Sequence, residues 1–140
     1  MYPFAFETAH AIGPHEGHEL NLMIAGDKPC AFFSDTIPGN GFIPLKDFTP
    51  FVQSGQIKQF EHRYRPTHLP EPYDCLQAIY FCLPGEEYRV EQLHELHVKL
   101  HQGKWREEDD IIIGRLLGYK EWDIKAFIQH QRRYFQTQET

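Results

Sequence analysis

YDCLQAIYFCL, residues 73–83, is an apolar run closed off by proline-rich sequence before it and by Pro84-Gly85 after it. On a wheel of 3.6 residues per turn, Cys75, Leu76, Ile79, Tyr80, Cys82 and Leu83 leave almost no polar side. The expectation is therefore a helix buried all round, the centre of a helical back half. Downstream, Pro84-Gly85, Gly103 and Gly118 punctuate the chain and leave room for three more helices. The segment from about Glu87 to Gln102 groups Leu93, Leu96 and Leu100 within about 60° of one another, with Glu91, Glu95, Lys99 and Gln102 opposite. The next begins in the acids after Arg106, which suit the positive end of a helix dipole, and packs Ile112, Ile113, Leu116 and Leu117 before Gly118 stops it. The last uses Asp123 in its first turn and gathers Ile124, Phe127, Ile128, Tyr134 and Phe135 on one face, with Trp122 on the other.

Upstream of the run, PTHLPEP holds three prolines, which block both a helix and a central strand. Residues 67–72 are accordingly taken as a connector between a mixed front half, 1–66, and a helical back half, 73–136. In the front half, HELNLMIAGDKPCAFF (residues 18–33) reads as a short helix handing over to a strand. Leu20, Met23 and Ile24 share one face, Gly26 stops the helix, and Pro29, which has no N–H to donate, precedes a strand at Cys30–Ser34. Residues 2–7 and Phe42-Ile43 are expected as further short strands. Residues 45–54 fit a helix ending at Gly55, with Pro50 as a possible break. IKQFEHRYR alternates Phe60, His62 and Tyr64 against Gln59, Glu61, Arg63 and Arg65, the period of a half-exposed strand. The expected fold class is α+β: a small, mostly antiparallel sheet with one or two helices, covered by a four-helix back half within one domain of 140 residues.

Composition supports a folded chain: 41% hydrophobic and 24% charged residues, with 11 Phe, 7 Tyr and 2 Trp. The N-terminal sequence has no basic start followed by a long apolar run, and no segment approaches the roughly 20 apolar residues of a membrane helix, so a cytoplasmic protein is expected. Cys30, Cys75 and Cys82 lie in apolar surroundings and are expected as reduced core thiols. A formal charge of −6 disfavours nucleic acid, whose phosphates need clustered cations, and favours a basic partner.

Two groups of residues carry chemistry. Glu107, Glu108, Asp109 and Asp110, with Trp122 and the stripe His94, His97 and His101, would form an acidic, aromatic-bearing surface of the kind that meets a protein partner. Histidines at i and i+4 can also share a metal ion, but no CxxC or HExxH accompanies them, and neither a metal nor another cofactor is expected. The second group is His10, His15, His18, Glu19 and Lys28, which would line a small polar pocket in an enzyme or a ligand-binding protein. Lys58, His62, Arg63, Tyr64 and Arg65 form a basic strand able to meet a phosphate, although pairing with acids of the back half explains it better. Walker loops, GxGxxG after a strand and GxSxG are missing. The leading expectation is a small acidic binding protein that inhibits or regulates a partner protein, of the immunity or anti-defence type. An enzyme with a His/Glu-lined pocket and a homo-oligomeric structural subunit are the alternatives.

Overall fold

The computed structural model describes residues 15, 17–65 and 69–139. The chain runs through α1 (Glu19–Ile24), β1 (Cys30–Ile37), α2 (Leu45–Gln53), β2 (Lys58–Tyr64), β3 (Cys75–Cys82), α3 (Glu87–His101), α4 (Glu107–Leu116) and α5 (Glu121–Glu139). The three strands form one sheet in the order β1-β3-β2, with β3 antiparallel to both neighbours. The class is α+β.

Residues 73–83, expected as a helix, instead supply β3, the central strand. An apolar run without polar gaps is ambiguous, because a strand covered on both faces also shows no alternation. Prolines at both ends of this run leave about the length of a strand. The side chains divide with period two. Ala78, Tyr80 and Cys82 enter one core, while Ile79 and Phe81 enter the other. The connector is therefore the β2–β3 connection, and the segment beyond it contributes three helices rather than four.

The register places Cys30, Cys82 and Lys58 in one row across the sheet, and Phe32, Tyr80 and Phe60 in the next. On this face the core is completed by Val90 and Leu93 of α3, Ile113 and Leu116 of α4, and Ile124, Phe127 and Ile128 of α5. On the opposite face, Ala31, Phe33, Ile79 and Phe81 pack with Met23 of α1 and Phe48 of α2, where the Phe48 and Phe81 rings stack at 4.0 Å. Helices thus cover both faces, and three layers replace the expected division into a sheet half and a helical half.

Local expectations were met in the span of α1, whose end at Gly26 is left-handed (φ 80°), at α2, and at β2, but the expected face of α1 is corrected: Met23 is buried, whereas Ile24 is exposed and Glu19 is buried in its place. Pro50 lies inside α2 on its exposed side, while the buried side holds Phe48. β1 continues past Ser34 to Ile37 because β3 is long enough to pair with all eight of its residues. Phe42 and Ile43 lie in a loop, not a strand, and the expected strand at residues 2–7 falls outside the described residues. Among the described residues, no helix is long and apolar enough to cross a membrane.

Candidate functional sites

Three clusters of polar or exposed side chains grow out of this frame. The first forms where the α1–β1 turn meets the turn between α4 and α5. α4 ends in a paired motif: the Tyr119 N–H donates to the Gly114 carbonyl at 2.9 Å, and the Gly118 N–H to the Arg115 carbonyl at 3.1 Å. Gly118 is left-handed (φ 85°), and a Cβ built there would lie 2.6 Å from Cδ of Pro29, so glycine alone permits this approach. The contact brings Lys28 over the end of α4. Lys28 is fully buried, and its ammonium donates to the Leu117 carbonyl at 2.6 Å and lies 2.9 Å from Nδ1 of His15. The His15 ring stacks on Tyr119 with centroids 3.9 Å apart, and the Lys28 ammonium is 4.8 Å from the centre of the same ring. Burial, then the charges of Lys28 and Lys120, push His15 down to about 4. At neutral pH its imidazole is uncharged and Nδ1 is free to accept from Lys28.

Of the pocket residues expected from sequence, this cluster unites His15 and Lys28. Glu19 is buried on α1, whereas His18 is exposed, and His10 lies outside the described residues. Tyr119 and the Leu117 carbonyl were not anticipated. A residue ninety positions downstream leaves no local signal, although Gly118 marked the turn that positions both.

The second cluster joins β2, β3 and α3. His62 of β2 and His94 of α3 stack face to face, with centroids 3.8 Å apart and planes 16° from parallel. The Tyr80 ring stands edge-on to both, at 5.8 Å from His62 and 6.4 Å from His94. The Tyr80 hydroxyl lies 3.5 Å from Nδ1 of His97, which is buried against Phe32. Burial first, and then His62, hold His94 below the ordinary histidine range, with Glu95 acting the other way. Nδ1 of His94 is buried without a hydrogen-bond partner. Thus His94 and His97 pack against the sheet through aromatic contacts. His101 ends α3, and nothing further is described of its side chain. Among the described residues, no group of three or more His, Cys, Asp or Glu side chains is arranged to hold a metal ion. The basic strand is engaged locally, with Lys58 paired to Glu87 at 2.9 Å and Arg63 to Glu61 at 3.1 Å.

The third cluster lies on the helix ends. Its acidic run does not face solvent as a unit. Glu107 is held by Arg132 through two hydrogen bonds of 2.6 and 2.7 Å. Asp109 is buried, accepting from the Lys99 ammonium at 2.8 Å and from the Arg106 N–H at 2.9 Å. Asp110 is buried, and burial above all pushes it up to about 7, so part of its population is uncharged at neutral pH. Only Glu108 and Glu107 of the four are exposed. Asp109 and Asp110 therefore drop out of the solvent-facing surface expected from sequence, because the first turn of α4 folds inward onto α3.

Trp122, by contrast, is 67% exposed in the first turn of α5, with the Lys120 ammonium 4.9 Å from its ring. The elements around it are cross-tied. Arg89 of α3 donates to the Arg115 and Leu116 carbonyls at 3.1 and 3.0 Å, and Arg115 pairs with Glu121 at 2.8 Å. Tyr88, against which Arg89 lies, is 49% exposed. These arginines and Tyr88 were not singled out from sequence; an exposed aromatic beside a helix start is indistinguishable there from a packed one.

The fold and these clusters define a layered α+β protein with, among the described residues, a three-stranded antiparallel sheet. No family model, curated protein or solved structure matches the chain.

Proposed function

We propose that this chain is a small acidic binding protein that inhibits or regulates a protein partner, meeting it on the surface around Trp122. The observation that carries the reading is a tryptophan two-thirds exposed on a helix start whose Glu121 pairs with Arg115, next to an α4 end that Arg89 ties to α3. Tryptophan, tyrosine and arginine dominate binding energy where they are presented on a rigid surface, and a preordered surface lowers the entropy cost of association. Glu108 and the overall charge of −6 favour a basic partner electrostatically. The decisive comparison is affinity capture from the native cell with wild-type chain, Trp122→Ala and His15→Ala, quantified by mass spectrometry. The expected result is a protein whose recovery falls at least about tenfold with Trp122→Ala, the loss of one hot spot, and persists with His15→Ala. Equal recovery of every protein by the three baits would refute the reading.

The His15–Lys28–Tyr119 cluster favours a second reading, a ligand or substrate site in which His15 accepts a proton. In that case a co-purified small molecule would be lost with His15→Ala and retained with Trp122→Ala.

A further inference from the structure

Cys30 and Cys82 are register partners on antiparallel strands, at the end of the sheet where β1 begins and β3 finishes. The Leu83 N–H donates to the Pro29 carbonyl at 3.0 Å, so the Pro29/Leu83 position is a hydrogen-bonded one. The next pair along, Cys30/Cys82, is then non-hydrogen-bonded, the position at which Cα atoms approach to roughly 4.5 Å and side chains lie closest. Disulfides span Cα separations of about 4.4 to 6.8 Å. Neither cysteine is in a disulfide, and as register partners both face the same buried core. Cys75 pairs with Ile37 at the other end of β3, well away from both.

We propose that Cys30 and Cys82 form a redox-active dithiol that closes to a cross-strand disulfide when a small peroxide reaches it. Access is local. The third member of the row is Lys58, and its ion pair with Glu87 consists of two exposed side chains at the sheet end beside Cys82. The charges of both act on the Cys82 thiol, so the route proposed for the peroxide enters past this pair, at the end of the sheet. Deprotonated Cys82 attacks one peroxide oxygen; the S–O bond forms as the O–O bond breaks, and the departing hydroxide takes up the thiol proton as water. Cys30 then attacks the Cys82 sulfur, forming S–S and breaking S–O, and its proton leaves with the oxygen in a second water. The pair loses two protons and two electrons to the peroxide. Burial, which pushes Cys82 up to about 11, makes the first step slow; the facing thiol makes the second fast.

The test exposes the folded full-length chain to excess hydrogen peroxide, quenches it, and alkylates the remaining thiols in denaturant before mass analysis. The expected outcome is a fall from three alkyl groups per chain to one, with the mass otherwise lower by two hydrogens and a single joined peptide containing Cys30 and Cys82. Cys75→Ser should keep the cross-link and accept no alkyl group after oxidation, while Cys30→Ser and Cys82→Ser should each lose it. Three alkylatable thiols after prolonged exposure, sulfinic acid without a cross-link, or a link involving Cys75 would each overturn the proposal.

Discussion

Replacing Asp110 with asparagine should stabilise this protein, and by an amount that depends on pH. The Asp110 side chain is 1% exposed in the first turn of α4, and its Oδ1 has no hydrogen-bond partner. Burial shifts the carboxyl from 3.8 up to about 7, the charges of Asp109 and Glu107 add to the shift, and the Trp105 indole opposes it. The folded state therefore holds this proton more tightly than the unfolded state does. Its contribution to stability is fully present below pH ~4 and is lost as pH rises through about 7. A shift of roughly three units at about 1.36 kcal/mol each makes the loss about 4 kcal/mol. An amide of the same shape does not ionise, so Asp110→Asn removes that loss. It also removes a helix-dipole contribution of about 0.5 kcal/mol at alkaline pH. The net gain should be about 3.5 kcal/mol at pH 8 and only about 1 kcal/mol at pH 4.5, where the unfolded carboxyl is already mostly ionised, measured by urea unfolding at both values. Taking the difference between variant and wild type cancels the titrating groups that do not interact with Asp110. A variant that is less stable at pH 8, or a difference that does not change with pH, would show that the carboxylate is accommodated by the fold and that the burial argument fails.

The stacked histidines give a prediction of opposite sign. His94 is held low in the folded state, so its contribution is present above the ordinary histidine range and lost as pH falls through the folded value; His62→Phe keeps a ring but removes a neighbouring charge, and the NMR titration of His94 should move upward. An unmoved titration would mean that burial alone depresses it. Lys28→Met should cost about 1 to 3 kcal/mol in urea unfolding by stranding the Leu117 carbonyl, and should raise the His15 pKa from about 4 by removing one of the two charges that lower it. If His15 titrates unchanged in that variant, the Lys28 contact is not the source of its shift. Gly118→Ala should cost at least about 2 kcal/mol, since it combines a left-handed backbone with a Cβ only 2.6 Å from Pro29; wild-type stability would disprove the close approach.

How much of this was legible in the sequence depended on the range of the interaction. The spans of α1 with its glycine stop, α2 and β2 are legible locally and formed where expected, but the inward face of α1 was not, since Ile24 is exposed and Glu19 buried. β3 was not legible, because a strand covered by helices on both faces has the same uniform polarity as a buried helix; only its partners, forty residues back in β1 and on β2, settle the choice. The candidate sites divide in the same way. Trp122 on the side of α5 opposite Ile124 and Phe127 followed from the wheel, and its exposure agrees. The fate of Asp109 and Asp110 did not follow, since four acids at a helix start look alike in sequence. It takes Lys99 and Trp105, on the preceding helix and loop, to turn two of them inward.

α4 shows how the polar clusters and the packing constrain each other. Its N-terminal turn carries four acids, and its last carbonyls are met by two cations from elsewhere in the chain, Lys28 on Leu117 and Arg89 on Arg115 and Leu116. Acids at the start and cations at the end both complement the helix dipole. Lys28 therefore has work to do as a cap whether or not a ligand ever meets His15. Capping and binding part company in what a substitution changes: a cap lost at Lys28 lowers stability and leaves the apparent affinity of the folded fraction intact. The surface at Trp122 has no such second duty, because the residue is 67% exposed and belongs to neither core cluster. Trp122→Ala should thus leave unfolding free energy within about 0.5 kcal/mol of wild type. A larger loss would make Trp122 a structural residue and remove the basis for placing the partner there; an unchanged unfolding curve, together with lost capture, would separate recognition from folding at a single side chain.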